Sequence, residues 1–163
     1  MRTPPTGAAK WSPNHLSAAA PDQFYLGYGI FNTGPCPLPG GKVMFTSSRD
    51  GYLPNKSYTF PNFRLYIMDD DGSNVEPVGH LNVGSALHPT VLKDGRVMFS
   101  SFETQGQRDS RVWGLWAIWP DGRRWEPLFS AFVWADALHF QTQLTDGRLA
   151  VVEYYNLNNN GFG

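Results

Sequence analysis

Three features of the chain predict an all-β protein assembled from repeated four-stranded antiparallel sheets. The first is internal similarity at spacings of 50 to 54 residues. The second is a series of strand-length apolar runs bounded by glycine-containing turns. The third is a composition with 15% aromatic residues, 17 glycines and 13 prolines, which suits short strands and tight turns better than long helices.

The repeats are anchored by glycine. Pro35-Cys36-Pro37-Leu38-Pro39-Gly40-Gly41-Lys42-Val43 aligns without gaps with Pro89-Thr90-Val91-Leu92-Lys93-Asp94-Gly95-Arg96-Val97, and both align with Gln141-Thr142-Gln143-Leu144-Thr145-Asp146-Gly147-Arg148-Leu149. Gly41 and Gly95 lie 54 residues apart, and Gly95 and Gly147 lie 52 apart. A second block recurs at an offset of 50: Leu65-Tyr66-Ile67-Met68-Asp69-Asp70-Asp71-Gly72 against Leu115-Trp116-Ala117-Ile118-Trp119-Pro120-Asp121-Gly122. A period of this size corresponds to one blade of a β-propeller, about 40 to 50 residues folded as four strands.

Within each repeat the strands follow from apolar content and turn chemistry. An inner strand ends at Leu38, Leu92 or Leu144, and a Gly-Gly or Asp-Gly turn leads into Val43 to Ser47, Val97 to Ser101 or Leu149 to Tyr155. A third strand is expected over Phe63 to Asp69 and Val112 to Trp119, and a fourth over Val75 to Leu81 and Trp125 to Phe129. Between the second and third strands the repeats differ: Arg49 to Asn62 is a Tyr- and Pro-containing insertion, whereas Glu103 to Arg111 is shorter and polar. Such insertions often build the binding face of a repeat protein.

The expected organisation is a partial β-propeller with about two blades and the start of a third. Residues 1–23 are expected to be extended or disordered, and residues 24–163 to carry repeats at 35–88, 89–140 and, incomplete, 141–163. Because a propeller has typically about 4 to 8 blades, the chain is expected to be part of a larger propeller. Its partners are then the remaining blades or domains of a parent protein, or partner subunits.

Composition excludes some roles. With 13 Lys plus Arg against 14 Asp plus Glu the net charge is −1, so no basic field attracts nucleic acid or an anionic membrane. No stretch approaches the ~20 apolar residues of a membrane span, and residues 1–23 contain no apolar core of an export signal.

Candidate sites are few. Cys36 is the one cysteine, in register with Thr90 and Thr142; the plain expectation is a small buried strand residue, and the sharper one is a zinc or haem-edge ligand supplied to a neighbouring domain. His15, His80, His88 and His139 lack metal-ligand spacing. The glycine anchors set His139 opposite Leu87 rather than His88, and a one-residue shift in a strand reverses the face, so the two need not point the same way, and hydrogen-bonded loop or strand histidines are expected rather than a shared metal site. Asp69 to Asn74 is expected to be a hairpin turn rather than a calcium loop, lacking flanking helices. Trp116 among Trp113, Trp119 and Trp125 is expected to pack between blades. Glu103 and Glu153 are isolated carboxylates. No Gly-x-Ser-x-Gly, phosphate loop or His-Glu-x-x-His is present, so no catalytic residue is assigned.

The pattern Pro-x-x-Leu-x-[Asp/Gly]-Gly-[Lys/Arg]-Val-x-Phe-x-Ser, followed by Leu-Tyr-Ile-Met-Asp-Asp-Asp-Gly-Ser-Asn, resembles the WD40-like repeat of TolB-type bacterial propellers over residues 35 to 155. More narrowly, Leu92-Lys93-Asp94-Gly95-Arg96 and the ending Tyr-Tyr-Asn-Leu-Asn-Asn-Asn-Gly-Phe-Gly are similar to the propeller region of proteins related to the hydrazine synthase alpha subunit. The resemblance implies an exported, periplasmic or extracellular bacterial protein. It carries no haem onto these residues, because Cys-x-x-Cys-His is absent; no cofactor is expected within the chain, and haem c or zinc would belong to the parent protein.

Overall fold

The structure is a computed structural model that describes residues 31–49, 62–79, 85–102, 113–131 and 138–153. Among these residues there is no helix, and ten strands form three antiparallel sheets. The first contains β1 (Asn32–Leu38), β2 (Lys42–Ser47), β3 (Arg64–Asp69) and β4 (Glu76–Pro77), hydrogen-bonded in that order. The second repeats the order with β5 (Ser85–Val91), β6 (Val97–Phe102), β7 (Trp113–Ile118) and β8 (Glu126–Ala131). The third pairs β9 (Leu138–Gln143) with β10 (Leu149–Glu153).

The turns form for the reason their residues suggest. In the second sheet Leu92 N–H donates to Arg96 O (2.7 Å), Gly95 N–H to Leu92 O (2.9 Å), and the Asp94 carboxylate accepts from Arg96 N–H (3.0 Å). Gly95 has φ +92°, a conformation open to glycine. Leu144, Asp146, Gly147 and Arg148 reproduce the same three bonds in the third sheet.

Of the strand expected over Val75 to Leu81, β4 covers Glu76–Pro77, and residues 80–81 lie outside the described ones. A Cβ on Gly79 would lie 2.9 Å from Ile118 Cδ1 in the second sheet, and one on Gly122 would lie 3.3 Å from Gly79 N. Gly79 itself (φ +75°) leaves the extended backbone where the neighbouring sheet presses close. In β8 the corresponding residue is Phe129, and the strand runs on to Ala131.

The core lies between sheets. Leu38, Met44, Leu65 and Val78 of the first face Ala86, Val97, Phe99 and Ile118 of the second, with Cys36 among them. Met44, Leu65, Val97, Phe99 and Ile118 are fully buried, and each such side chain contributes about 1.5–3 kcal/mol relative to exposure. Leu92, Met98, Leu115 and Ala117 of the second sheet pack on Leu138 of the third. The first two sheets are thus each covered by the next, as in propeller blades. Residues 1–23, the two insertions except Arg49 and Asn62, and residues 154–163 lie outside the described residues.

Candidate functional site at the inner strands

Each inner strand carries a β-bulge at one position. Thr33 pairs with Thr46 and Cys36 with Met44; Leu87 pairs with Ser100 and Thr90 with Met98; His139 pairs with Val152 and Thr142 with Ala150. Two residues thereby oppose one in each case, and the first of the two takes a left-handed backbone: Gly34 (φ +61°), His88 (φ +55°) and Phe140 (φ +52°). All three stand seven residues before their turn glycine. For His88 and Phe140 this conformation costs about 1–2 kcal/mol each, which the surrounding sheet contacts must offset.

The bulge brings together His88 and His139, which alternation along a strand left without a common direction. Parity of side-chain direction holds only along an unbroken strand, and each inner strand breaks it at the bulge. His88 Nε2 lies 3.0 Å from His139 Nδ1, with ring centroids 5.1 Å apart and planes at 77°. Phe140 lies over His88 with centroids 4.4 Å apart. The anchors are right about register, since Gly34, His88 and Phe140 are equivalent. The contact is diagonal, joining the bulge residue of one sheet to the residue before the bulge in the next.

Polar bonds fix this geometry. The Gln141 side-chain N–H group donates to the backbone carbonyls of Leu87 (3.2 Å) and His88, and Thr90 Oγ1 donates to Gln141 O (3.0 Å). Lys93 N–H donates to Gln143 Oε1 (2.8 Å), and Ser100 Oγ donates to Leu138 O. With its nitrogen between two carbonyls, the Gln141 amide has one sensible orientation, and its buried Oε1 has no hydrogen-bond partner among the described residues. Burial lowers the pKa of His88 below the ordinary histidine value. Burial, and secondly the neighbouring His88, lower that of His139 to about 4. Both rings are therefore neutral at neutral pH, and one N–H can be shared between the two facing nitrogens.

The other candidates occupy plainer settings. Cys36 is buried in the apolar seam between the first two sheets, its thiol donating weakly to Pro37 O (3.8 Å) and pushed up in pKa by burial. Among the described residues no group of three or more His, Cys, Asp or Glu side chains is placed to hold a metal. The Asp69 carboxylate accepts from Ser73 Oγ (3.2 Å) and Asn74 Nδ2 and pairs with Lys42, while Asp71 accepts from Ser73 N–H (2.8 Å). These carboxylates hold a hairpin turn together. Trp116 packs against the core of the first seam and meets Trp125 at a tilt of 39°, with ring centroids 4.6 Å apart. Trp119 lies beneath the turn at Gly95. Glu153 is exposed at the end of β10, whereas His15, His80, Glu103 and the side chain of Trp113 lie outside the described residues.

No protein-family model and no curated protein matches the chain. Among solved structures it is similar to a protein described as a putative TolB from Agrobacterium tumefaciens, at 27% identity and a TM-score of 0.48, covering 62% of this chain and 34% of that one. It is also similar to the β-propeller domain of the Trilobed protease from Pyrococcus furiosus, at 13% identity and a TM-score of 0.51, covering 77% of this chain and 35% of that one. The chain thus spans about a third of the length of these two structures. The likeness to the propeller domain, joined to three antiparallel sheets packed in series and no helix among the described residues, makes this an all-β chain of partial β-propeller architecture.

Proposed function

We propose that the chain is a scaffold and interaction segment of a larger β-propeller, built from TolB-type repeats, in an exported bacterial protein. The observation that carries this reading is β10. Its counterpart β6 is buried at every residue and paired on both edges, by β5 and β7. β10 pairs only with β9 among the described residues, and Leu149, Val151 and Val152 are 36–39% exposed. A strand of this type gains its stability from a third strand and a following sheet, supplied by further repeats or a partner subunit. Leaving a few hundred Å² of apolar surface wet forfeits on the order of 5–10 kcal/mol, comparable to the stability of a small domain.

The 163-residue chain alone should therefore oligomerise, aggregate or melt broadly, whereas a longer protein with further repeats should melt cooperatively. Light scattering and calorimetry distinguish the two. A monodisperse 18.2 kDa monomer with a sharp transition would refute the reading.

A second reading makes the segment the propeller part of an enzyme subunit related to hydrazine synthase alpha, with haem chemistry outside these residues. It is favoured by the Leu92-Lys93-Asp94-Gly95-Arg96 turn and the Tyr-Tyr-Asn-Leu-Asn-Asn-Asn-Gly-Phe-Gly ending. Cys-x-x-Cys-His motifs in the full-length gene would support it. A periplasmic TolB-like adaptor would instead show more copies of the repeat and no cofactor motif. A zinc role for Cys36 would require donors from outside the described residues.

A further inference from the structure

We propose that His88 and His139 together bind one divalent transition-metal ion, of the copper, nickel or zinc type, through His88 Nε2 and His139 Nδ1 at the seam between the second and third sheets. Two nitrogens each about 2.0–2.1 Å from one ion lie about 2.9 Å apart at a right angle and about 3.4 Å apart at the tetrahedral angle. The observed separation of 3.0 Å falls in that interval near its right-angle end, so the nitrogens already have the spacing an ion needs, and each ring must turn its lone pair off the N–N line towards the ion. That angle suits the tetragonal preference of copper(II) and nickel(II).

The donor set is soft enough to choose among metals. Two imidazoles without a carboxylate exclude calcium and magnesium, which take oxygen ligands. Copper(II) should bind most tightly of the three, by the general order of divalent affinities. Water completes the coordination. Gln141 Oε1 is a further oxygen donor on the same seam, buried and without a partner among the described residues, on an amide already held against His88 O.

The proton balance is simple. In the hydrogen-bonded pair one of the two facing nitrogens carries a proton; on metal binding that proton moves to the other nitrogen of the same ring. Both rings stay neutral, each giving a lone pair, and no net proton is released near neutral pH. Because the two rings come from different sheets, held in register by the Gln141, Thr90 and Lys93 bonds, the donors are positioned before the ion arrives.

The test is titration of the full 163-residue chain with copper(II) at pH 7.5, by equilibrium dialysis and electron paramagnetic resonance. The expected result is one ion per chain with two imidazole nitrogens in its spectrum. His88→Asn, which keeps a residue tolerant of the left-handed backbone, and His139→Gln should each weaken binding at least about tenfold with unchanged circular dichroism. A chain carrying His15→Ala and His80→Ala should bind as before. Unchanged affinity in both seam variants overturns the proposal. If either variant fails to fold, the unaltered chain still decides: fewer than two imidazole nitrogens on the bound copper, or no binding tighter than millimolar, overturns it. The spectrum reads the ligands in monomer and oligomer alike, so this result is separable from the fate of the scaffold reading.

Discussion

At the seam between the first and second sheets, Leu38, Met44, Leu65 and Val78 meet Ala86, Val97, Phe99 and Ile118. At the seam between the second and third, a smaller apolar group around Met98, Leu115 and Leu138 is accompanied by side-chain hydrogen bonds from Thr90, Ser100 and Gln141 and by the paired imidazoles. The positions are equivalent and the chemistry differs. Cys36 stands where Thr90 does, and the thiol sits among apolar side chains while the hydroxyl donates across the next seam to Gln141 O. Gly34 stands where His88 does; a Cβ there would lie 3.1 Å from Pro89 Cδ, whereas His88 extends a ring to the following sheet. An apolar seam tolerates small sliding, because dispersion and burial are nondirectional. A hydrogen-bonded seam fixes register, because donors and acceptors must meet.

The largest effect should come from the apolar seam. Phe99 is fully buried there, and Phe99→Ala should cost about 3–5 kcal/mol. Urea unfolding of the longer protein with further repeats measures it, and a loss under about 1 kcal/mol would move the main source of stability elsewhere. At the polar seam Gln141→Ala leaves the Leu87 and His88 carbonyls without this donor and should cost about 1–3 kcal/mol. Hydrogen exchange should then quicken in residues 138–153 while residues 32–47 keep their protection; uniform acceleration would show that the seams unfold as one.

Acid should separate the seams in the same direction. The folded chain holds both histidines below the unfolded value of 6.5, His139 at about 4, so the unfolded state binds more protons between these limits. Their contribution is constant above about pH 6.5 and is lost as pH falls from there towards about 4. Melting temperature should drop by several degrees between pH 7.5 and 5, and His88→Asn with His139→Gln should flatten that dependence. A profile unchanged in the double variant would dissociate the imidazoles from the seam's stability. The smallest effect is expected at the rim. Arg148→Ala removes the exposed pair with Asp146 (2.7 Å), and thermal unfolding should not register it.

Much of this was legible in the sequence. The turn glycines fix the register of all three sheets, because Gly95 and Gly147 at φ +92° and +91° do what an Asp-Gly turn requires. The third strands fall within one or two residues of their apolar runs. What could not be read was the bulge: His88 carries no local signature of a left-handed backbone, and only Gly34 in the equivalent place hints at one. Alternation was therefore carried through a position that breaks it, which hid the histidine pair. The turned backbone at Gly79 was hidden for another reason. Gly79 is dictated by the approach of Ile118 and Gly122 some forty residues on, a contact that no local pattern contains.

The bulge residues also act as addresses. Gly34 admits a neighbour whose proline and backbone press close, and His88 asks for a neighbour with His139 just before its own bulge. Moving the second sheet to the first position would drive an imidazole into the space occupied by Pro89. Moving the first sheet to the second would leave His139 facing a glycine. Repeats similar enough to arise by duplication are thereby made non-interchangeable, each joint accepting one successor. A copy inserted out of order, or a sheet exchanged between two chains, would meet its neighbour with the wrong key. Phe140, at the same position in the third sheet and 65% exposed, turns its ring back over His88, so that joint is keyed from both sides.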